Sequence, residues 1–131
     1  MNSIDRWDHP LYLTWLESLP VGAAAAVVSA VDYLTEYGRS AQLDLVRHRI
    51  QTSKHFPHMS EARIRYEAKP HNLILRVLTV FTNNDKTLVV CFAGDKAKWA
   101  RANSSDWYAT AIPIADQVFD RYKQLHPEEH Q

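Results

Sequence analysis

Two apolar, β-branched segments, residues 73–82 and 87–93, flank the polar tetrapeptide Asn83-Asn84-Asp85-Lys86. A pair split by Asn and Asp in this way reads as an antiparallel hairpin. It commits the middle of the chain to a sheet. Residues 61–67 alternate as Glu-Ala-Arg-Ile-Arg-Tyr-Glu, the pattern of a half-exposed strand. Together the three segments predict an antiparallel meander whose central strand is the most apolar. Just before them, residues 51–60 are polar and contain Pro57, which reads as a loop, and residues 42–50 alternate only in part.

Ahead of the sheet the period becomes helical. Leu11, Leu13, Trp15, Leu16 and Leu19 lie between Pro10 and Pro20, which predicts a short first helix. Ala24, Val27, Val28, Val31 and Leu34 then recur at helical spacing, and Gly38 stands where a glycine ends a helix. The two form a helical hairpin turned at Pro20. After the sheet comes a polar stretch with Lys96, Lys98 and Arg101. A last helix is predicted over residues 106–125, striped by Ile112, Ala115, Val118, Phe119 and Tyr122. Pro113 inside it predicts a kink or a restart. The whole is one α+β domain over residues 1–131, with 1–6 and 126–131 frayed.

The formal net charge is zero, and as a sum that argues against a nucleic-acid partner. Position changes the inference. Residues 1–46 carry a net −4, residues 47–101 a net +7 and residues 102–131 a net −3. Phosphate binding depends on the local field, because charges beyond about 8 Å are largely screened. No apolar run reaches the ~20 residues that span a bilayer, and the N-terminus lacks a basic region leading into an apolar core. Cys91 is the one cysteine; it cannot form an internal disulfide, and its place in an apolar strand suits a buried hydrophobe in a reducing cytosol.

The basic middle holds the candidate chemistry. Alternation puts Arg63 and Arg65 on one face of their strand. Arg76 interrupts the apolar run Leu73-Ile74-Leu75-Arg76-Val77-Leu78, so it needs either an open face or an anionic partner such as Glu61 or Glu67. Lys96, Lys98, Trp99 and Arg101 interleave cations and rings ahead of Trp107-Tyr108, a mixture suited to RNA phosphates and splayed bases. Trp107 reads better as a core anchor than Trp99 or Tyr108. Arg47, Arg49 and Lys54 extend the set of RNA-binding candidates. His55 has an intrinsic pKa suited to acid–base work. A metal reading of His55-Phe56-Pro57-His58 is poor, since Pro57 prevents a regular helical pair and no carboxylate stands at ligand spacing.

Several strings, in order, resemble the RelE/HigB-like toxins of bacterial type II toxin–antitoxin systems, in particular the phage-derived HigB-like branch. They are Trp15-Leu16-Glu17-Ser18-Leu19-Pro20, Gly38-Arg39-Ser40 with Leu43-Asp44, and Ser53-Lys54-His55 with Met59-Ser60-Glu61-Ala62-Arg63. Further along come Leu75-Arg76-Val77-Leu78 with Val80-Phe81, Ala93-Gly94-Asp95-Lys96, Trp107-Tyr108 and Ala111-Ile112-Pro113-Ile114-Ala115-Asp116. The resemblance implies a RelE-like fold, a small antiparallel β-sheet packed against two N-terminal helices with a C-terminal helix. It implies a cytoplasmic, metal-independent mRNA endoribonuclease without a cofactor, acting on the ribosome to inhibit translation, and a cognate helix-turn-helix antitoxin as partner. In such enzymes the ribose 2′-OH attacks the adjacent phosphate. The resemblance gives Arg76 the role of phosphate stabiliser, Arg63 that of a clamp, and Lys96 and Lys98 those of basic residues after the last strand. Tyr108 is assigned to stacking or proton transfer. Two alternatives belong to the same family: a ParE-like poison of DNA gyrase, and an inactive member that only binds its antitoxin.

Overall fold

The hairpin is the centre of the molecule. The computed structural model describes residues 4–42 and 44–127, and in it β4 (Leu73–Phe81) and β5 (Thr87–Asp95) pair antiparallel. Their turn is closed by side chains: Thr82 Oγ1 donates to Asn84 Oδ1 at 2.8 Å, and Lys86 N donates to the same oxygen at 3.0 Å. Asp85 takes a left-handed φ of 58°, a conformation that Asp tolerates better than most residues.

β3 (Met59–Tyr66) pairs antiparallel with β4 along its whole length, and the two-residue β2 (Val46–Arg47) adds to the outer side of β3. Met59 and Ser60, expected in the loop, thus already belong to a strand. On the other side, β1 (Asp5–Asp8) pairs parallel with β5, giving the order β1-β5-β4-β3-β2. The sheet is therefore mixed and five-stranded, not purely antiparallel. Asp5 and Arg6, expected to fray, are in β1; residues 1–3 and 128–131 of the expected frayed ends, and Leu43, lie outside the described residues.

Helices cover both faces. α1 (Pro10–Glu17) and α2 (Val21–Tyr37) form the predicted helical hairpin, with Gly38 at φ 57° closing α2. Tyr12, Ala23, Val27 and Val31 pack on Ala62, Ile64, Leu75 and Val77 of the sheet. The buried stripe of α2 is Ala23, Val27, Val31 and Leu34, while Val28 is exposed. It keeps Val27, Val31 and Leu34 of the predicted line and takes Ala23 in place of Ala24 and Val28. α4 (Trp107–Leu125) covers the opposite face, with Ala111, Ile112, Ala115 and Phe119 against Met59, Leu78, Val80, Val89 and Cys91. Burial drives the Cys91 thiol pKa upward, as expected for an inert hydrophobe.

α4 runs through Pro113 without a restart. Pro113 and Ala109 are both exposed, so the carbonyl that the proline leaves without a donor can be solvated. The polar stretch after β5 is not loop but α3 (Lys96–Ala102). Asp95 caps it, Oδ1 accepting from Ala97 N at 3.0 Å and Lys98 N at 3.2 Å.

Gly94 lets α4 approach β5. A Cβ there would lie 2.7 Å from Trp107 Nε1, and Trp107 is only 5% exposed. Gly94→Ala is expected to lower stability by about 1–3 kcal/mol, read as a lower urea midpoint with an unchanged m-value.

Candidate active site

Alternation places Glu61, Arg63 and Arg65 of β3 and Arg76 of β4 on the face that α4 covers. The cover is partial. Met59, Leu78 and Val80 lie beneath α4, whereas Arg63 and Arg65 are exposed beyond its first turn. Arg63 and Arg76 are register partners, so their Cα atoms sit about 5 Å apart. Two like charges this close require a counter-charge or open solvent, and this end of the face has both.

The counter-charge is Glu61, whose side chain is 1% exposed. Its Oε1 accepts from Tyr108 Oη at 3.1 Å and pairs with Arg47 Nε at 3.1 Å, with Arg63 Nε at 4.0 Å. Its Oε2 is buried and has no hydrogen-bond partner among the described residues, and the same holds for Arg76 Nε. The Arg76 Nη1 donates to the Leu75 carbonyl at 3.0 Å. Tyr108 is the hub: the Arg47 guanidinium lies 5.2 Å and the Lys96 ammonium 4.9 Å from its ring centroid. Burial and the nearby Glu61 carboxylate push the Tyr108 phenol pKa up, against a smaller opposing pull from Arg76. The phenol therefore keeps its proton at neutral pH.

A groove of about 250 Å³, lined by Asp44, Arg63, Ile64, Arg65, Ile74 and Arg76, runs beside this cluster. Arg47, Arg63, Arg76 and Lys96 thus converge on one carboxylate and one phenol, leaving a local excess of positive charge over an exposed face. Chemically the arrangement can hold an anion, and it keeps a protonated phenol bonded to Glu61 beside it.

The remaining sequence candidates lie elsewhere. Lys98 and Trp99 are on α3, where the Trp99 Nε1 donates to the Ser105 carbonyl at 2.8 Å, and Arg101 is exposed in its last turn. Arg49 has a φ of 58° and lies over the Phe56 ring at 4.9 Å. His55 is not brought to the cluster. Its Nε2 pairs with Asp120 Oδ1 at 2.8 Å and its ring meets Phe119 edge-on. Asp120 lies twelve residues after Tyr108 on the same helix, about 18 Å along its axis. Lys54 also pairs with Asp120.

The string Ser53-Lys54-His55 is thus a clasp on α4. Ser53 Oγ donates to the buried Asp116 at 2.6 Å, and Lys54 N donates to its other oxygen at 3.1 Å. At Asp120, burial raises the carboxyl pKa, but hydrogen bonds from Lys54 and His55 outweigh it and hold the group below the usual carboxylate range. A lowered folded pKa stabilises the fold above the unfolded value of about 3.9 and ceases to do so as pH falls through the folded value. Asp120→Asn is therefore expected to flatten the loss of stability on acidification below about pH 4, measured by thermal melts across that range.

Among the described residues, no group of three or more His, Cys, Asp or Glu side chains is placed to hold a metal ion, and no helix is long and apolar enough to cross a membrane. Glu61 and Arg47 were not legible as a pair, being fourteen residues apart on neighbouring strands. The alternation of Glu61 with Arg63 was the only signal that it shares their face. Searches against family models, curated proteins and solved structures return no match.

Proposed function

We propose that the chain is a RelE/HigB-like toxin, a metal-independent endoribonuclease that cuts mRNA in the cytoplasm, on the ribosome. The observation that carries this reading is the convergence of Arg47, Arg63, Arg76 and Lys96 with Tyr108 on an open sheet face. The arrangement of two helices, meander and covering C-terminal helix is compatible with a RelE-like fold, with β1 as an addition at one edge.

In the proposed reaction the 2′-hydroxyl gives its proton to solvent as its oxygen forms a bond to phosphorus, and the bond from phosphorus to the 5′-oxygen breaks. The phosphorane between them carries extra negative charge, which fixed guanidinium groups are suited to stabilise. Arg76, half-buried beside Tyr108, supplies that stabilisation, and the exposed Arg63 holds the phosphate in place. Tyr108, protonated at neutral pH, turns its hydroxyl from Glu61 to the leaving 5′-oxygen, delivers its proton there and regains one from solvent. Glu61 holds Arg47 and the Tyr108 hydroxyl in position. A cognate helix-turn-helix antitoxin would silence the protein, and an adjacent reading frame of that type is the expected genetic companion.

Induced expression with primer extension on translated messages tests the reading. Growth arrest accompanied by new transcript 5′ ends is the expected result. Arrest with intact transcripts and an SOS response would instead point to a gyrase poison, and harmless expression to an inactive antitoxin-binding member.

A further inference from the structure

A cleft of about 520 Å³ opens beside the cationic cluster, between the α1–α2 corner, the end of β5, α3 and the start of α4. Its walls carry the rings of Trp15, Phe92, Trp99 and Trp107. The Trp99 ring is fixed by its bond to the Ser105 carbonyl. Asn103 stands at the same cleft; its amide nitrogen donates to the Trp99 carbonyl at 3.1 Å, and the group carries a further donor and an acceptor beyond that bond. Lys98 contributes a cation to the lining and Asp95 a carboxylate, the latter occupied as the cap of α3.

The position of the cleft gives it a meaning. Gly94, in its wall, is the register partner of Arg76, so the cleft begins one strand spacing, about 5 Å, from that arginine. Trp107 in the wall is followed directly by Tyr108 of the cluster. A nucleotide chain with a phosphate at Arg63 and Arg76 would therefore bring a neighbouring base to the cleft without a long bridge.

We propose that this cleft receives one nucleobase of a single-stranded RNA, stacked against the indoles of Trp15 and Trp99 and read at its edge by Asn103. The proposal rests on the nuclease reading and deepens it. Cations position a backbone but carry no sequence information, whereas rings and an amide can select a base. The cationic cluster beside the cleft favours a polyanion over an apolar peptide segment.

The test uses the full chain with indole-labelled tryptophan. The probes are a short single-stranded RNA whose 2′-O-methyl groups block cleavage and the same oligomer with abasic positions. Base-bearing RNA is expected to shift the indole N–H signals of Trp15, Trp99 and Trp107 and to leave Trp7, packed on Tyr122, unmoved. Its affinity should exceed that of the abasic oligomer by about five-fold or more. Trp99→Ala should remove that advantage while abasic binding is kept, and Asn103→Asp should reorder the preference among bases with the fold intact. Equal affinity for the two oligomers with unmoved cleft indoles would overturn the inference and leave the cluster reading standing. Indole shifts with an apolar peptide alone would overturn it in favour of a protein partner. Failure of both oligomers to bind would defeat the nuclease reading, and this inference would fall with it.

Discussion

Replacing Arg76 by alanine is expected to slow RNA cleavage by about 10²- to 10³-fold. Arg76 is a half-buried guanidinium on a central strand, opposite Arg63 and beside the Tyr108 hydroxyl. Burial among packed neighbours lowers the local dielectric, so its charge acts on a phosphorane more strongly than it would in water. Its Nε is buried without a partner among the described residues and its Nη1 is bonded to the Leu75 carbonyl, so the group is held in one place. Arg76→Lys should recover only part of the rate, since an ammonium cannot present the planar, two-pronged donor set of arginine. Single-turnover cleavage measures the effect. A urea melt within about 1 kcal/mol of the wild type would show that the loss is catalytic. Retention of the wild-type rate would remove Arg76 from the mechanism.

The largest effect on stability is expected at Asp116. Its carboxylate is 6% exposed and accepts from the Ser53 hydroxyl and the Lys54 backbone N–H. Asp116→Ala would leave both donors without their acceptor in a buried place, at a cost of about 3 kcal/mol, or a melting temperature lower by about 10 °C. Asp116→Asn, which keeps an acceptor oxygen, should lose less. His55→Ala belongs to the same clasp and is expected to change the cleavage rate by no more than about three-fold, because His55 lies remote from Arg76. A rate loss for His55→Ala comparable to that of Arg76→Ala would return the histidine to the reaction.

The fold was legible wherever local pattern and packing agree. The hairpin followed from β-branched runs around an Asn-rich turn, and α2 from the spacing between Pro20 and Gly38. The buried line of α2 kept the expected Val27, Val31 and Leu34 but took Ala23 rather than Val28, since its Ala-rich sequence offers apolar residues on several sides and only the sheet selects among them. β1 escaped notice because Asp5-Arg6-Trp7-Asp8 has no apolar alternation; it is an edge strand joined to β5 through its backbone. α3 was hidden by its polarity, although Asp95 ahead of Lys96-Ala97-Lys98 is a serviceable N-cap signal.

The site divides along the same line. Arg63 and Arg65 share a face because strand alternation is local. The meeting of Arg47, Glu61, Arg76 and Tyr108 depends on register and on where α4 begins, which no short window contains. His55 shows the converse: a suitable intrinsic pKa says nothing about location, and its side chain meets Asp120 rather than the cluster. The zero net charge is also a sum that conceals position. With acidic segments on both sides of the basic middle, long-range attraction to RNA would be weak, and the proposed binding would depend on fitted contacts.

The most direct test of endoribonuclease action by the 2′-oxygen is cleavage of a ribosome-bound message by the purified chain, with both new ends identified. Attack by the 2′-oxygen predicts a 2′,3′-cyclic phosphate on one fragment and a 5′-hydroxyl on the other. An intact message, or fragments ending in a 3′-hydroxyl and a 5′-phosphate as metal-activated water would leave, would contradict it.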